Sequence, residues 1–286
     1  MGDGLVWAWH DERQRRNMGL TIHYQLATTE NEAHSRRLVQ QLRQAALDLP
    51  FERVGEITEF RGGQCDWNRR AKDDLHRWLL IQACTHVALP VKPWEKRQGI
   101  TREMDVAPLQ VIAFETEPGD GCEPANFGLC QFPSEVSHPE FGKLQTKPKG
   151  WSWSSFCKTQ YASDPRCGGL PNFLRCHLGV VALLDEAKKL GFLGKVSDEG
   201  DFWETRSLER LTKEVGEQSA MLASLLGALK DAVGQASGGA VRLEAPIAGY
   251  PNFEHLEAEG QRLLPEQLKA VLKALTRASL PRGGTR

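Results

Sequence analysis

No window of the 286-residue chain approaches the ~18 uninterrupted apolar residues that a membrane-spanning helix needs. Its richest apolar runs, Val180 to Leu184 and Leu222 to Leu229, lie inside amphipathic patterns, which points away from a membrane. Neither sign of charge is in excess: 36 Lys and Arg face 37 Asp and Glu, for a net charge of −1. Such a chain has no whole-molecule field to draw in nucleic acid or an anionic membrane surface. The local pairs Arg36-Arg37 and Arg69-Arg70 have acids nearby, and no helix-turn-helix, zinc-finger or RNA-recognition signature is present. Nucleic acid is therefore disfavoured as a partner. Cysteine is scarce for this length, seven residues, too few for a disulfide scaffold. The apolar stretch Leu5 to Trp9 is too short for a secretory signal core. Reduced thiols and a cytoplasmic location are the expectation. Also missing are a close C-x₂₋₄-C pair, a phosphate-cradling glycine loop and a dinucleotide fingerprint, so neither a metal nor a cofactor is expected.

What is present is a set of periodic segments. Leu20 to Leu26 alternates and is rich in β-formers, predicting a half-buried strand. The stretch 28–31 offers a helix cap, after which Ala33, Leu38, Val39, Leu42, Ala46 and Leu49 recur at helical spacing until Pro50. A strand pattern resumes over Phe51 to Phe60. Leu75 to Leu89 is ambiguous between helix and strand, and Leu109 to Phe114 predicts a short buried strand. From Glu115 to Gly169 periodicity is weak, while Gly, Pro, Cys, Trp and Asn abound. A gap of that size is unusual in a compact domain and implies hidden strands or a functional loop. Asn172 is the expected cap of a helix carrying Phe173, Cys176, Val180, Leu183, Leu184, Ala187 and Leu190, with Gly191 as its stop. A strand and tight turn follow over Phe192 to Trp203, and Ser207 begins a long helix to Val233.

These segments predict an α+β fold: a mixed sheet with covering helices and a helical C-terminal region. Residues 1–17, which have no period, form a disordered N-terminal extension in this reading. The α+β domain spans 18–234, a linker 235–251, and a C-terminal helix with a basic tail 252–286. The helix-to-strand passages around Pro50 and Gly191 resemble one another, which raises a duplicated strand–helix–strand unit beside the plainer reading of chance similarity.

Four places could carry chemistry. The carboxylates Glu115, Glu117, Asp120 and Glu123 could face a hard cation, although they match no calcium or magnesium motif and fit a solvated acidic turn. The remaining cysteines, Cys122, Cys130, Cys157, Cys167 and Cys176, are too loosely spaced for zinc. Cys157, with Trp151 and Trp153 before it and Lys158 after it, could be a thiolate nucleophile at a helix start. It would need His177 or His138 as base, and Asn126, Asn172 or Gln160 as an orienting or oxyanion group. A buried cysteine flanked by core tryptophans is the competing reading. Finally, Asp198, Trp203, Glu204 and Arg206 could bind a polar or cationic ligand against an indole, or form a hairpin tip.

Two functional expectations follow. In the first, the chain is a binding or interaction protein that recognises a protein or small ligand through loops 115–169 and 197–206. Trp151, Trp153, Lys158, Tyr161, Asp198, Trp203, Glu204 and Arg206 are then the candidate contacts, and the 252–280 helix could dock a protein partner. The alternative is a thiol-dependent hydrolase or transferase using Cys157 with His177, assisted by Asn126 and Gln160.

Overall fold

The longest strand ladder joins β1 (Thr21–Thr28) to β11 (Trp151–Lys158), antiparallel, with Thr21 opposite Lys158 and Thr28 opposite Trp151. The computed structural model describes residues 20–217 and positions 219, 220, 223, 224 and 256. The readings made for residues 1–17, for the 235–251 linker and for the C-terminal helix and tail lie outside these.

On β1 and β11 one set of alternate residues is buried: Ile22, Tyr24 and Leu26 on one strand, and Trp151, Trp153, Ser155 and Cys157 on the other. The complementary set includes His23, Gln25 and Ala27, all exposed. We call these the inner and outer faces. The sheet continues through β8 (Phe127–Gln131) and β6 (Gln110–Phe114) to β3 (Thr58–Arg61), and on the other side to β12 (Leu193–Asp198). The order is β12-β1-β11-β8-β6-β3, and every pairing is antiparallel. The α+β class holds, but the mixed sheet that was expected is antiparallel throughout. The two strands joined by each helical crossover do run parallel, yet they are never neighbours.

Both crossover helices serve the inner face. The first, α1 (Glu32–Leu47), starts at Asn31, whose Oδ1 accepts the His34 N–H at 2.9 Å. It buries Leu38, Val39, Leu42 and Ala46, the stripe expected from their spacing. The second, α4 (Gly169–Lys189), begins three residues before the expected cap. Gly168 and Gly169 both have positive φ and end the preceding turn, while Asn172 lies inside the helix and donates to the Asp120 carbonyl. Gly191 ends it as expected, with its N–H on the Lys188 carbonyl. The α1 crossover passes over three intervening strands, from β1 to β3, whereas the α4 crossover passes over only one, from β11 to β12. The two units therefore differ in how they are wired.

Between β3 and β6 the chain makes an insertion. It contains two short 3-10 turns, α2 (Arg77–Gln82), a hairpin of β4 (Thr85–Ala88) with β5 (Glu103–Val106), and α3 (Pro93–Arg97) between the hairpin strands. The ambiguous 75–89 stretch is thus both a helix and a strand. Cys65, Leu79, Leu80 and Ala83 of the insertion join the main core. The expected strand over 51–60 is two pieces, β2 (Arg53–Val54) and β3. β2 pairs with β7 (Thr116–Glu117) instead of continuing along β6. The weakly periodic 115–169 region holds β7, β8, a separate hairpin of β9 (Glu135–His138) with β10 (Gly142–Gln145), and β11.

β8 packs closely on β6. A Cβ on Gly128 would come within 2.4 Å of the Ala113 side chain and 2.6 Å of the Ile112 carbonyl, so only glycine fits. Next to it, Phe127 stacks on Tyr24 with ring centroids 4.8 Å apart and lies 5.9 Å from Phe114. Phe127→Ala should lower the unfolding free energy by about 3–5 kcal/mol, measured by urea denaturation, because the cavity lies where two strands cannot close on it.

Candidate functional site

The stretch 150–161, expected to present a thiol at a helix start, is the strand β11 followed by a 3-10 turn at Gln160–Ser163. This decides where its side chains go. Cys157, Trp151 and Trp153 face inward and are buried, while Lys158 lies on the outer face. No helix field acts on Cys157. Its thiol donates to the Glu123 carbonyl at 3.2 Å, and burial, with Glu123 nearby, pushes it far above the ordinary thiol range. A sealed thiol of this kind is chemically quiet.

Beside Cys157 the sheet opens. β11 pairs with β8 only at Trp151 and Ser152, and the gap closes again where the Glu123 N–H meets the Lys158 carbonyl at 3.0 Å. Asn126 sits at this opening. Its backbone carbonyl accepts both the Tyr24 hydroxyl at 2.7 Å and the Trp153 Nε1–H at 2.9 Å. Its Nδ2 donates to Gln82 Oε1 at 2.8 Å, the same oxygen that accepts from the Ser155 hydroxyl at 3.4 Å. Asn126 and Trp153, two sequence candidates, are thus brought together as buried cross-links of the opening. Among the described residues, Asn126 Oδ1 and Glu123 Oε2 are buried acceptors without a partner. The opening therefore retains capacity for a hydrogen-bond donor.

His177 is fully buried and is not joined to Cys157. Its Nε2 lies 3.2 Å from Asp198 Oδ2, and its Nδ1 lies 3.0 Å from the Thr159 hydroxyl. The Asp198 carboxylate accepts the Nε2–H and the Thr159 hydroxyl is the partner of Nδ1, so both ring nitrogens are used. Asp198 also accepts the backbone N–H groups of Gly200, Phe202 and Trp203 at 2.8, 3.0 and 2.9 Å. Burial alone would raise this carboxyl; the hydrogen bond from His177 and the Trp203 and Gly200 amides outweigh it and hold Asp198 below its usual range. Expected from the sequence as a ligand contact, Asp198 is instead enclosed as the organiser of the turn into α5 (Phe202–Thr205). There Arg206, in the left-handed region, holds Asp185 through two 2.9 Å bonds, and its guanidinium lies 4.5 Å from the centre of the Trp203 ring. Lys188 lies 5.9 Å from the same ring, so nearby cations of this chain already cover the indole. Glu204 is exposed, and partial desolvation raises its carboxyl.

Other candidates are separated from this core. His138 caps the tip of the β9–β10 hairpin, its Nδ1 accepting from Glu140 and Phe141. Gln160 is buried in the 3-10 turn, where its backbone carbonyl accepts the Ser163 hydroxyl. The acidic loop is dispersed: Glu117 pairs with Arg53 at 2.6 Å, and Glu115 lies 3.9 Å from the same guanidinium. Among the described residues no group of three or more His, Cys, Asp and Glu is placed to hold a metal ion.

On the outer face the structure gathers a different set. The Lys158 ammonium lies 4.9 Å from the Tyr161 ring centre, and the His23 and Phe156 rings are 5.8 Å apart across the β1–β11 ladder. Glu199, just past β12, approaches His23 Nε2 at 3.9 Å and accepts the Thr21 N–H at 2.9 Å. Partial burial raises its carboxyl, and the nearby Lys158 ammonium counteracts part of that rise. Lys158 and Tyr161 were legible as candidates, and Glu199 lies in the expected 197–206 loop; His23 and Phe156 were not legible. The signal for His23 and Phe156 was their position opposite one another once β1 pairs with β11, which a single strand pattern does not reveal.

His177→Ala strands a buried carboxylate and should cost about 3–5 kcal/mol of stability, measured by urea denaturation. In the unaltered chain the depressed Asp198 carboxyl contributes stability that is complete above the unfolded value, near 4, and is lost as pH falls below it. Acid titration followed by circular dichroism should show that loss, and Asp198→Asn should shrink it. No family model, curated protein or solved structure matches the chain.

Proposed function

We propose that the chain is a binding protein that takes a small zwitterionic or peptide-like ligand on the outer face of β1 and β11. The observation that carries this reading is the grouping of an ammonium, a carboxylate, an imidazole and two aromatic rings at one end of that face: Lys158, Glu199, His23, Phe156 and Tyr161. Lys158 suits a ligand carboxylate, Glu199 a ligand ammonium, and the rings an apolar group between them. These residues come from the two regions, 115–169 and 197–206, and from the strand lying between them in the sheet. The apolar share of such a site is small, so charge placement supplies most of its selectivity.

The thiol-enzyme alternative has weaker support, because Cys157 and His177 each spend their polar atoms on buried partners. A protein partner for the 252–280 segment and a cytoplasmic location belong to the proposed reading as well. No helix among the described residues is long and apolar enough to cross a membrane.

Titrating the ¹⁵N-labelled protein with glycyl-phenylalanine should shift amide resonances of β1, β11 and the Glu199 turn. Lys158→Ala should weaken that binding about tenfold or more, the effect of one charge-assisted hydrogen bond. Shifts confined to other regions, or none at millimolar dipeptide, would remove the proposal. Iodoacetamide at neutral pH should leave Cys157 unlabelled in the native protein; rapid, selective labelling there would favour the thiol enzyme.

A further inference from the structure

The β4–β5 hairpin of the insertion stands apart from the main sheet: its strands pair with each other, and the loop between them is closed by the Leu89 N–H on the Arg102 carbonyl at 2.8 Å. From 90 to 101 this loop holds one acid, Glu95, against Lys92, Lys96 and Arg97. The acid is turned inward. Glu95 is 3 % exposed; its Oε2 accepts the Lys92 N–H at 2.6 Å, its Oε1 accepts from Arg102 at 2.5 Å, and its carbonyl accepts the Ile100 N–H at 3.0 Å. A buried carboxylate needs such partners, and here they fix the loop around it. Every other position from 92 to 99 is exposed, and the Trp94 indole is 48 % exposed. Among the described residues no ion pair holds Lys92, Lys96 or Arg97. The next acids along the chain, Glu103 and Asp105, lie on the stem strand β5, where Asp105 meets His86 at 2.8 Å.

We propose that this hairpin tip is a docking surface for an anionic phospholipid bilayer, with Trp94 entering the headgroup layer and Lys92, Lys96 and Arg97 meeting the lipid anions. An indole favours the membrane–water interface, where its apolar body and its N–H are both accommodated. Each Lys or Arg close to an anionic leaflet adds attraction. The inward Glu95 serves this twice: it withdraws the loop's one repelling charge, and it orders the loop beforehand, so that docking loses little conformational freedom. Single-stranded nucleic acid fits the tip less well, because it is held by successive aromatic platforms along a basic track. Here one indole and three cations share a single projecting turn, which suits a broad anionic plane that needs no enclosing groove. The whole chain is nearly neutral, so the attraction is local to this hairpin and sensitive to salt. The site is separate from the outer-face cluster on β1 and β11 and does not depend on what binds there.

The test is to sediment the full-length chain with phosphatidylcholine vesicles made with and without phosphatidylserine. The chain should pellet with the phosphatidylserine vesicles, stay in solution with phosphatidylcholine alone, and be released at about 1 M sodium chloride, where the screening length is ~3 Å. Lys96→Ala and Arg97→Ala should each weaken the partition about fivefold, and Trp94→Ala should weaken it as well. The triple variant Lys92→Glu, Lys96→Glu, Arg97→Glu, altered at exposed positions and checked for native circular dichroism, should no longer pellet. The proposal is overturned if the unaltered chain stays in solution, if it binds phosphatidylcholine alone equally well, or if the triple variant still pellets, which would place attachment elsewhere in the chain. Binding of a thymidine oligonucleotide or of polyglutamate through the same three cations, in preference to the vesicles, would overturn it in favour of nucleic acid or an acidic protein.

Discussion

The register between β1 and β11 governs what every side chain on these strands can do. The paired positions place Ile22 opposite Cys157, His23 opposite Phe156 and Leu26 opposite Trp153. A slip of one residue would turn Cys157 and the tryptophans outward and bury Lys158 and His23, because strand side chains alternate with period two. The inward row already has its partners: Tyr24 and Trp153 share the Asn126 carbonyl, and Tyr24 stacks on Phe127. Correcting a slipped register would thus mean breaking several buried hydrogen bonds together. The pairing separates a sealed cysteine from a lysine next to it in sequence, and with them two different chemistries.

The second organising element is the Asp198 carboxylate, which joins the interior to the outer face. Three backbone amides and His177 converge on it, so the turn after β12 has one arrangement that satisfies them all. That arrangement carries Glu199 to the sheet edge, where it accepts the Thr21 N–H. His177 thus acts at a distance, through Asp198, on a residue of the outer cluster. A buried polar pair is weak evidence of net stability; its clearer role here is to give the loop a single geometry.

Much of the fold was legible because several elements carry their own signals. The asparagine before α1, the stripe of α4, the glycine after it and the fully buried β6 follow local rules that hold in the folded chain. β11 did not announce itself, although it lies inside the sheet. Its inward row includes Ser155 and its outward row includes Phe156, which blurs the apolar–polar alternation that would mark a strand. Its flanks, rich in Gly and Pro, suggested a loop. The partnership of His177 with Asp198 was also beyond reach, since it depends on α4 lying over β12. The sequence offered His177 only as a base for Cys157, and the packing gives it Asp198 instead. Asn126 was expected as an orienting or oxyanion group, whereas its backbone carbonyl is what anchors two aromatic side chains.

The two outermost strands have a bearing on solubility. β12 carries Gly194 and Lys195, and its pairing with β1 shifts register between Tyr24 and Leu26. β3 is four residues long, and its Glu59 and Arg61 are tied to Arg36 and Glu32 of α1. Short length, charge and irregular pairing are the devices by which strands at a margin resist adding a further strand from another molecule. Although the sheet is open at both ends, these features discourage intermolecular growth along either rim, so that crowded copies of the chain are kept from templating one another.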